Sequence, residues 1–385
     1  MANENLTKAK KEKNDEFYTQ YHDIEKEINA YLEFDENVFK DKTILLPCDD
    51  PEWSNFTKFF AQNFEKLKLK KLISTSYAPE SKNSKSNYAP TLFEVNDPQF
   101  DKKKTIVNGK IFSLTQDNTG DGKIDVNDLE WSYLEGDGDF RSDEIKKLRD
   151  ESDIIITNPP FSLFREFLDW MVESKKKFII IGNMNAITYR EVFPLIKNDK
   201  MWLGSTKNGA DMVFAVPKDT LVADTDRQKA AKLGYIGDYT RLGNSIWFTN
   251  IDHGRRHLPL PLMTMADNIK FSKHKDLKGK EYQKYDNYNA IEVPFTDSIP
   301  SDYEGVMGVP ISFLDKYSPE QFEIIGLGIS NSGIEIGVQP YKIEHKKYRK
   351  EIQKRGAVDG DLYMMVNGIV EVPYARILIK HKVLE

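Results

Sequence analysis

The residues with the clearest chemical potential are Thr157-Asn-Pro-Pro-Phe161, which directly follow the apolar run Ile154-Ile-Ile156. Two consecutive prolines fix their own φ at about −65° and favour extended geometry in the preceding residue. This loop is therefore rigid. The Asn158 side-chain oxygen and the Pro159 carbonyl can both accept from one exocyclic NH2 group, and Phe161 offers a flat face for stacking. Accepting both protons favours an sp3-like nitrogen whose lone pair is nucleophilic without a strong base. The motif therefore predicts chemistry on an amino group.

The elements that must position this loop are apolar runs without strict alternation, separated by helical stretches. Such strands indicate a parallel sheet covered on both faces, and hence an α/β fold. Ligand sites are expected at the carboxyl ends of such strands. Helices are predicted from Phe17 to Tyr31, around Phe56 to Phe64 and over 163–173, and strands over 42–47, 71–75, 152–157 and 177–182.

The region from about residue 78 to 145 interrupts this alternation. It contains an apparent hairpin around Asn108-Gly109 and an acidic stretch: residues 115–153 hold 13 Asp/Glu and five Lys/Arg, net −8. The alternation fades after about residue 250, and residues 341–385 hold ten Lys/Arg and six Asp/Glu, net +4. We therefore expect a flexible basic arm over 1–15, a catalytic domain over 16–250 with an acidic insertion at about 78–145, and a third region over 251–385.

Four motifs in a fixed order resemble one known family. They are Lys13-Asn-Asp-Glu-Phe-Tyr-Thr-Gln20, Cys48-Asp-Asp-Pro-Glu-Trp-Ser-Asn-Phe56, Gly136-Asp-Gly-Asp-Phe-Arg-Ser142 and Asn158-Pro-Pro-Phe161. Together they resemble the EcoRI-type adenine-specific DNA methyltransferases. The resemblance implies the class I methyltransferase fold, which is Rossmann-like, with a mostly parallel sheet and helices on both faces. It also implies S-adenosylmethionine as cofactor and a target-recognition region over 251–385.

The resemblance implies a role for each motif. The catalytic residues would be Asn158, Pro159, Pro160 and Phe161. The cofactor-binding residues would be Phe17, Tyr18 and Thr19 at the methionine end, Asp49, Asp50, Pro51 and Ser54 at the amino group, and Asp139 and Phe140 at the adenine. An aromatic face beside a cationic cofactor is favourable by roughly 0.5 to 2 kcal/mol.

Two features of the cofactor motifs leave questions open. The residues after the first strand replace the usual glycine-rich turn, and either Asp49 or Asp50 can make the contact to the cofactor. The second strand ends at Ser74-Thr-Ser-Tyr77 without the acidic residue that usually holds ribose hydroxyls, so these four residues are only weak candidates for that role.

The acidic insertion contains a sequence with the spacing of a calcium loop. Asp117, Thr119, Asp121, Asp125 and Asp128 stand at positions 1, 3, 5, 9 and 12 of an EF-hand or dockerin-like pattern, with Gly at 6 and Ile at 8. The pattern departs from the standard loop by Thr at position 3, Asp at position 12 and the lack of a flanking helix pair. We therefore favour a polar Asp-Gly turn without metal, with calcium as the alternative.

Composition bears on compartment and partners. One cysteine excludes internal disulfides and a Cys-rich zinc site, and the chain lacks an apolar run of the roughly 18 to 20 residues that cross a bilayer, so a cytoplasmic protein without a membrane partner is expected. The net charge of −6 argues weakly against nucleic acid, but the acidic insertion accounts for it. Basic segments that can contact phosphates are 253–257, 270–284 and 342–355.

The sequence thus predicts an enzyme that methylates the N6 amine of a flipped adenine in double-stranded DNA. An RNA or protein-glutamine amino methyltransferase presents the same chemistry and stays an alternative, as does a non-catalytic, calcium-stabilised DNA-binding module. We expect a monomer or weak dimer. A restriction endonuclease acting on the same DNA site is a possible partner in function, without a stable complex.

Overall fold

The computed structural model describes residues 17–47, 49–51, 54–78, 97–206, 212–216 and 222–382. The predicted arm over 1–15 lies outside the described residues. The chain divides into two compact units, one formed by Met1–Met184 with Leu203–His253 and the other by Asn185–Trp202 with Gly254–Glu385.

The described residues up to 249 form eleven strands with seven α-helices between them. In chain order they are β1 Tyr18–Thr19, α1 Tyr21–Phe34, β2 Thr43–Leu46, α2 Asn55–Gln62, β3 Lys71–Ser76, α3 Lys102–Val107, β4 Lys110–Leu114, β5 Glu130–Tyr133, α4 Asp143–Glu151, β6 Ile154–Thr157, α5 Phe164–Glu173, β7 Lys177–Asn183, α6 Phe193–Lys197, β8 Trp202–Leu203, β9 Val213–Ala215, α7 Asp224–Lys232, β10 Tyr239–Arg241 and β11 Ser245–Thr249.

An eight-stranded mixed sheet organises the first unit, with strand order β5-β4-β3-β2-β6-β7-β11-β8. The four central strands β3, β2, β6 and β7 are parallel, whereas β4 and β5 on one side and β11 on the other pair antiparallel. The chain runs from β2 outward to β3 and later returns to β6 and β7 on the other side of β2. The strand order therefore reverses between β2 and β6, which is the place where open α/β sheets bind ligands.

The central strands are buried on both faces. Ile44 and Ile154 point to one face and their neighbours Leu45 and Ile155 to the other, yet all four are at most 2% exposed. Successive side chains of a strand point to opposite faces, so burial of both faces requires apolar residues throughout. This is why the runs that predicted the strands show no alternation.

A second, three-stranded sheet has the order β1-β9-β10 and is antiparallel throughout. Tyr18 pairs with Ala215, and Thr19 pairs with Phe214. The helix predicted from Phe17 therefore begins only at Tyr21, because the preceding residues pair as a strand with a segment almost 200 residues away.

The predicted hairpin around Asn108-Gly109 is wrong. Asn108 caps the C-terminal end of α3, and Gly109 leads directly into β4. The hairpin of this region is β4 with β5, and the 117–128 sequence lies in the connection between these strands. Strands thus flank that loop on both sides, and the sequence predicted the first of them.

A buried carboxylate joins α1 to the segment after β8. Glu27 is 0% exposed and accepts hydrogen bonds from the Ser205 and Thr206 backbone amides, both at 2.7 Å, and from the Tyr31 hydroxyl at 2.7 Å. A Cβ atom on Gly204 would lie 2.2 Å from the carboxylate, so only glycine permits this approach. Three donors compensate the cost of burying this acid.

The second unit contains a four-stranded sheet of order β12-β13-β17-β14 and a separate β15-β16 hairpin. Its apolar core includes Tyr285, Leu362, Met364 and Leu378. Its further elements are α8 Met265–Phe271, β12 Ala290–Glu292, β13 Val306–Pro310, β14 Phe322–Gly328, α9 Ser330–Glu335, α10 Ile343–Lys347, β15 Met364–Val366, β16 Ile369–Glu371 and β17 Arg376–His381.

Within the described residues, no helix combines the length and the hydropathy that a membrane span requires.

Candidate active site

The Asn-Pro-Pro-Phe loop leaves the sheet at its reversal point. Thr157 ends the buried strand β6, and its hydroxyl donates a 3.0 Å hydrogen bond to the Pro47 carbonyl just after β2. The Pro160 carbonyl accepts from the Leu163 amide at 2.9 Å and closes the turn into α5. The Thr157 hydrogen bond joins the ends of β2 and β6. Asp49 follows β2, and Asn158 follows β6.

The Asn158 side chain is held in one orientation. Its Nδ2 donates a 2.6 Å hydrogen bond to the Phe17 backbone carbonyl, an atom that can only accept. The opposite atom, Oδ1, is buried and has no hydrogen-bond partner among the described residues. A buried acceptor without a donor is costly, and a donor from a ligand could satisfy this atom.

Aromatic rings lie beside this amide. The Phe17 and Phe161 ring centroids are 5.5 Å apart with an interplanar angle of 33°, and Phe214 meets Phe17 edge-on at 6.2 Å. Sequence reasoning selected Phe17 and Phe161 but missed Phe214, because the segment around β9 carries no recognisable motif. Phe17 packs against both other rings, and Asn158 binds the Phe17 carbonyl and precedes Phe161 by three residues.

The Phe17-Tyr-Thr19 segment is held at two carbonyls. Asn158 binds the Phe17 carbonyl, and the Asn55 side-chain amide donates to the Thr19 carbonyl at 2.7 Å. The Thr19 side chain is 2% exposed, and its hydroxyl oxygen has no partner among the described residues. The predicted cofactor segment thus lies directly beside the predicted catalytic loop.

Asp49 is the buried acid of the segment after β2. It is 7% exposed; Oδ1 accepts from the Ser54 hydroxyl at 2.7 Å, and Oδ2 has no partner among the described residues. Burial raises the pKa of Asp49 to about 7, although the Thr157 and Ser54 hydroxyls offset part of this effect. A cationic amine placed at Oδ2 would restore the charged form.

The neighbouring residues Asp50, Pro51 and Ser54 form the turn into α2. The Asp50 carbonyl accepts from the Ser54 amide at 2.7 Å, and the Ser54 hydroxyl caps the helix by accepting from the Phe56 amide at 3.1 Å. Asp50 and Pro51 are half-buried. Cys48, Glu52 and Trp53 of this motif lie outside the described residues.

Ser74 to Tyr77 at the end of β3 have structural partners. The Ser74 hydroxyl donates to the Asp49 carbonyl, and the Thr57 hydroxyl donates to the same oxygen at 2.9 Å. The Tyr77 hydroxyl donates to Asp139 Oδ2 at 2.7 Å. The 136–142 loop therefore brings a carboxylate to the end of β3.

Glycines permit this approach of the loop to β3. Gly138 has a φ of +88°, and a Cβ atom there would lie 2.3 Å from the Ser76 carbonyl oxygen. The Ala78 amide donates to the Asp137 carbonyl at 2.8 Å and fastens the loop.

The Asp139 carboxylate accepts from four donors. They are the Arg141 amide at 2.8 Å, Arg141 Nε at 2.9 Å, a second guanidinium nitrogen at 2.6 Å and the Tyr77 hydroxyl at 2.7 Å. Burial raises its pKa, but these donors outweigh burial and lower the pKa of Asp139 to about 2. A carboxylate offers about four lone-pair positions, so a further donor at Asp139 must displace one of these.

Phe140, predicted to cover the cofactor's adenine, is 2% exposed. Its ring packs edge-on against Phe167 at 5.1 Å and Trp170 at 5.7 Å. These contacts place the ring in the packing around α5, with little surface left to cover a ligand.

The 117–128 loop binds its own backbone. Asp117 accepts from the Gly120 and Gly122 amides at 2.6 and 2.8 Å, and Asp128 from the Asn118, Thr119 and Asp125 amides at 2.8 to 2.9 Å. Asp121 likewise accepts from Lys123 at 2.9 Å. Across the described ranges, no group of three or more His, Cys, Asp or Glu side chains is arranged to hold a metal ion.

The basic segments differ in accessibility. His253 is buried and donates through Nε2 to the Leu203 carbonyl at 2.9 Å. Arg256, also buried, pairs with Asp199 and lies 3.8 Å above the Trp202 ring. By contrast, most lysines and arginines of 270–284 and 342–355 are exposed.

The comparisons with known proteins point in one direction. The sequence model of the family described as adenine-specific methyltransferase EcoRI matches residues 5–382. The chain is 40% identical to the Type II methyltransferase M.EcoRI of Escherichia coli over 385 residues, which cover 100% of this chain and 98% of that protein. It is 33% identical to the Type II methyltransferase M.MpnI of Mycoplasma pneumoniae over 321 residues, or 83% and 84% of the two chains. No solved structure gives a significant match.

Proposed function

The chain belongs to the adenine-specific EcoRI methyltransferase family, and from this premise we propose that it methylates the exocyclic amine of a flipped adenine in duplex DNA, using S-adenosylmethionine. The family membership makes it a DNA adenine methyltransferase. The N6 position, base flipping and the residue roles are the proposal.

One observation carries the catalytic assignment. Asn158 Oδ1 is a buried acceptor without a partner among the described residues, and the bond from Nδ2 to the Phe17 carbonyl holds it in place. An adenine amine is a donor of the required kind. With Pro159 as the second acceptor and Pro160 fixing the turn, both amino protons are held, and the nitrogen lone pair turns away from the ring.

Phe161 would stack on the flipped adenine. Extracting a base from the duplex costs a few kcal/mol, and stacking on an aromatic side chain returns roughly 1 to 3 kcal/mol per base. The tilted packing of Phe17 on Phe161 supports this role, since it limits the positions that the Phe161 ring can adopt.

The cofactor assignment rests on two buried, unpartnered oxygens. S-adenosylmethionine would supply an electrophilic methyl group on a positively charged sulfonium. Asp49 Oδ2 suits its ammonium, and the Thr19 hydroxyl suits a polar atom of its methionine portion. Phe17, Tyr18, Asp50, Pro51 and Ser54 would border the same end, with Asp139 at the adenine. Asp49 is preferred to Asp50 as the charged partner because it is the more deeply buried.

The strand order supports a class I methyltransferase layout for the first unit. The Asp49 and Asn158 segments follow β2 and β6, the two strands between which the order reverses, and open α/β sheets bind ligands at such a reversal. We assign the acidic 78–145 segment to an insertion in this catalytic domain.

We assign target recognition to the region over 251–385. The exposed lysines and arginines of 270–284 and 342–355 would contact phosphates, which position a protein on DNA without specifying sequence. The Type II names of the relatives support a cytoplasmic role in protecting a site that a restriction endonuclease also cuts.

A transfer assay tests the proposal. The purified chain and N158A are incubated with tritiated S-adenosylmethionine and, separately, an adenine-containing duplex, an adenine-free duplex, RNA and protein. We expect label only in the adenine-containing duplex. The rate of transfer by N158A should be lower by about 100-fold or more, although this variant should still bind DNA. Label in RNA or protein would support the alternative substrates, and DNA binding without transfer would support the non-catalytic module.

A further inference from the structure

The strand β1 lies at the edge of its sheet, with β9 on one side only. It contains two residues, too few for stability through pairing alone. Two side-chain amides bind its backbone: Asn158 donates to the carbonyl of Phe17, just before the strand, at 2.6 Å, and Asn55 donates to the carbonyl of Thr19, its last residue, at 2.7 Å. These amides supply hydrogen-bond donors to the backbone carbonyls of a strand that has only one neighbour.

Asn55 is itself anchored beside the buried acid. It is the first residue of α2, directly after Ser54, whose hydroxyl binds both Asp49 Oδ1 and the Phe56 amide. The Asn55 amide is therefore placed by the same helix start that holds Asp49. The adjacent residues Ser54 and Asn55 thus bind Asp49 and the Thr19 carbonyl, and the Phe17 carbonyl two residues before Thr19 binds Asn158.

We propose that Asn55 is a positioning residue for both the cofactor and the catalytic amide, an inference that rests on the proposed function. By holding the Thr19 carbonyl, Asn55 keeps the unpartnered Thr19 hydroxyl at the cofactor site. It also keeps the Phe17 carbonyl where it orients Asn158. Loss of this donor lets the segment shift, which affects cofactor affinity and turnover together.

The substitution N55D tests this because Asp has the size of Asn but lacks the donor. Its carboxylate repels the Thr19 carbonyl, whereas the protonated acid donates to it, so function should recover as the pH falls. N55A cannot recover. The matched control is N63D at the other end of α2, because the Asn63 amide donates to the Phe59 carbonyl at 2.9 Å and the Tyr21 hydroxyl at 3.3 Å and not to the 17–19 segment.

Other charged groups lie near position 55. They are Asp49 and Asp50 before the helix, Lys58 one turn along it, and Asp125 and Asp128 at the 126–128 turn, which packs against α2. Wild type and N55A carry all of them, so affinities expressed relative to wild type isolate the introduced carboxyl.

The experiment measures the dissociation constant of S-adenosylmethionine by calorimetry without DNA, and kcat and KM for an adenine-containing duplex, from pH 5.5 to 8. At pH 8 we expect N55D to bind the cofactor about tenfold more weakly than wild type, returning to within about threefold at pH 5.5. N55A should show a loss that does not change with pH relative to wild type, and N63D should stay within about twofold of wild type.

Two results would overturn the inference: both Asn55 variants binding the cofactor as tightly as wild type at pH 8, or N55D losing no more affinity at pH 8 than the control N63D. Melting curves accompany each variant; if N55D is unfolded at pH 8, N55A decides alone, since wild-type affinity in N55A excludes a positioning role. Absence of methyl transfer by wild type would instead contradict the proposed function, and cofactor binding distinguishes the two failures.

Discussion

The Asn158 amide donates to the Phe17 carbonyl at 2.6 Å, across 141 residues of sequence. This bond determines which end of the amide is available: Nδ2 is occupied, and Oδ1 is presented as an acceptor. A catalytic amide must present its oxygen to an adenine amine, because the amide nitrogen and the amine are both hydrogen-bond donors. The carbonyl of a predicted cofactor segment therefore orients the predicted catalytic side chain.

This relationship predicts a pH-dependent N158D variant. Its carboxylate would face the Phe17 carbonyl, which is repulsive, whereas the protonated acid can donate to that carbonyl and still accept from the adenine. We expect kcat/KM of N158D, taken relative to wild type, to rise as the pH falls from 8 to 5.5, and N158A to stay lower by about 100-fold or more throughout. A flat ratio for N158D would argue against the orienting role of Phe17.

Asp49 predicts proton release on cofactor binding. Its pKa is raised to about 7 by burial, so at pH 6 the carboxyl is largely protonated, and an ammonium at Oδ2 requires the charged form. Cofactor affinity should rise with pH through 7. Calorimetry at pH 6 in buffers of different ionisation enthalpy should give different apparent heats for wild type and equal heats for D49N. Equal heats for wild type would contradict the assignment.

The same group predicts a pH-dependent stability without cofactor. The pKa in the folded state lies above that in the unfolded chain, so the stabilisation is complete below the ordinary Asp pKa and is lost as the pH rises through about 7. A tenfold difference in proton affinity between the two states corresponds to about 1.4 kcal/mol. Wild type should melt at a lower temperature at pH 8 than at pH 5, and D49N should reduce this difference. An unchanged difference in D49N would assign the pH dependence to other groups.

Arg141 predicts acid sensitivity. Asp139 has a pKa lowered to about 2, with Arg141 as its main donor, and the guanidinium also contacts Glu166 at 3.0 Å. The stabilisation is present above the ordinary Asp pKa and is lost as the pH falls through about 2. R141A should therefore begin acid unfolding at higher pH in circular dichroism, with a loss at neutral pH of at most about 1 kcal/mol because the pair is partly exposed. The control is R227A, an exposed arginine on α7.

We expect substitution of the buried Glu27 to lower the stability of the fold strongly, for reasons unrelated to methyl transfer. E27A leaves the Ser205 and Thr206 amides and the Tyr31 hydroxyl without their acceptor, which should cost about 3 kcal/mol or more in urea denaturation. E25A, an exposed position on the same helix, should change the free energy of unfolding by less than about 0.5 kcal/mol. Similar values for both variants would show that the carboxylate does not hold the 204–206 segment.

Much of the first unit follows from local sequence. The runs around Ile44, Ile155 and Ile180 predicted the central strands because burial on both faces demands apolar residues at every position. The Asn-Pro-Pro-Phe loop was predictable because proline geometry acts on adjacent residues. The motif resemblance selected the residues of the proposed cofactor segment. It also predicted the family, and the comparisons confirmed the family.

Tertiary structure decided what depends on distant partners. Phe17 to Thr19 continue the helical spacing of α1, yet they are extended because β9 and two amides hold them. Asp139 reaches the end of β3 through Gly138, and Glu27 is buried by a segment 178 residues away. Local sequence determines the backbone preference of a residue. Its hydrogen-bond partner from a distant segment is determined only when the sheet forms. The orientation of the Asn158 amide therefore appears only once the chain has folded.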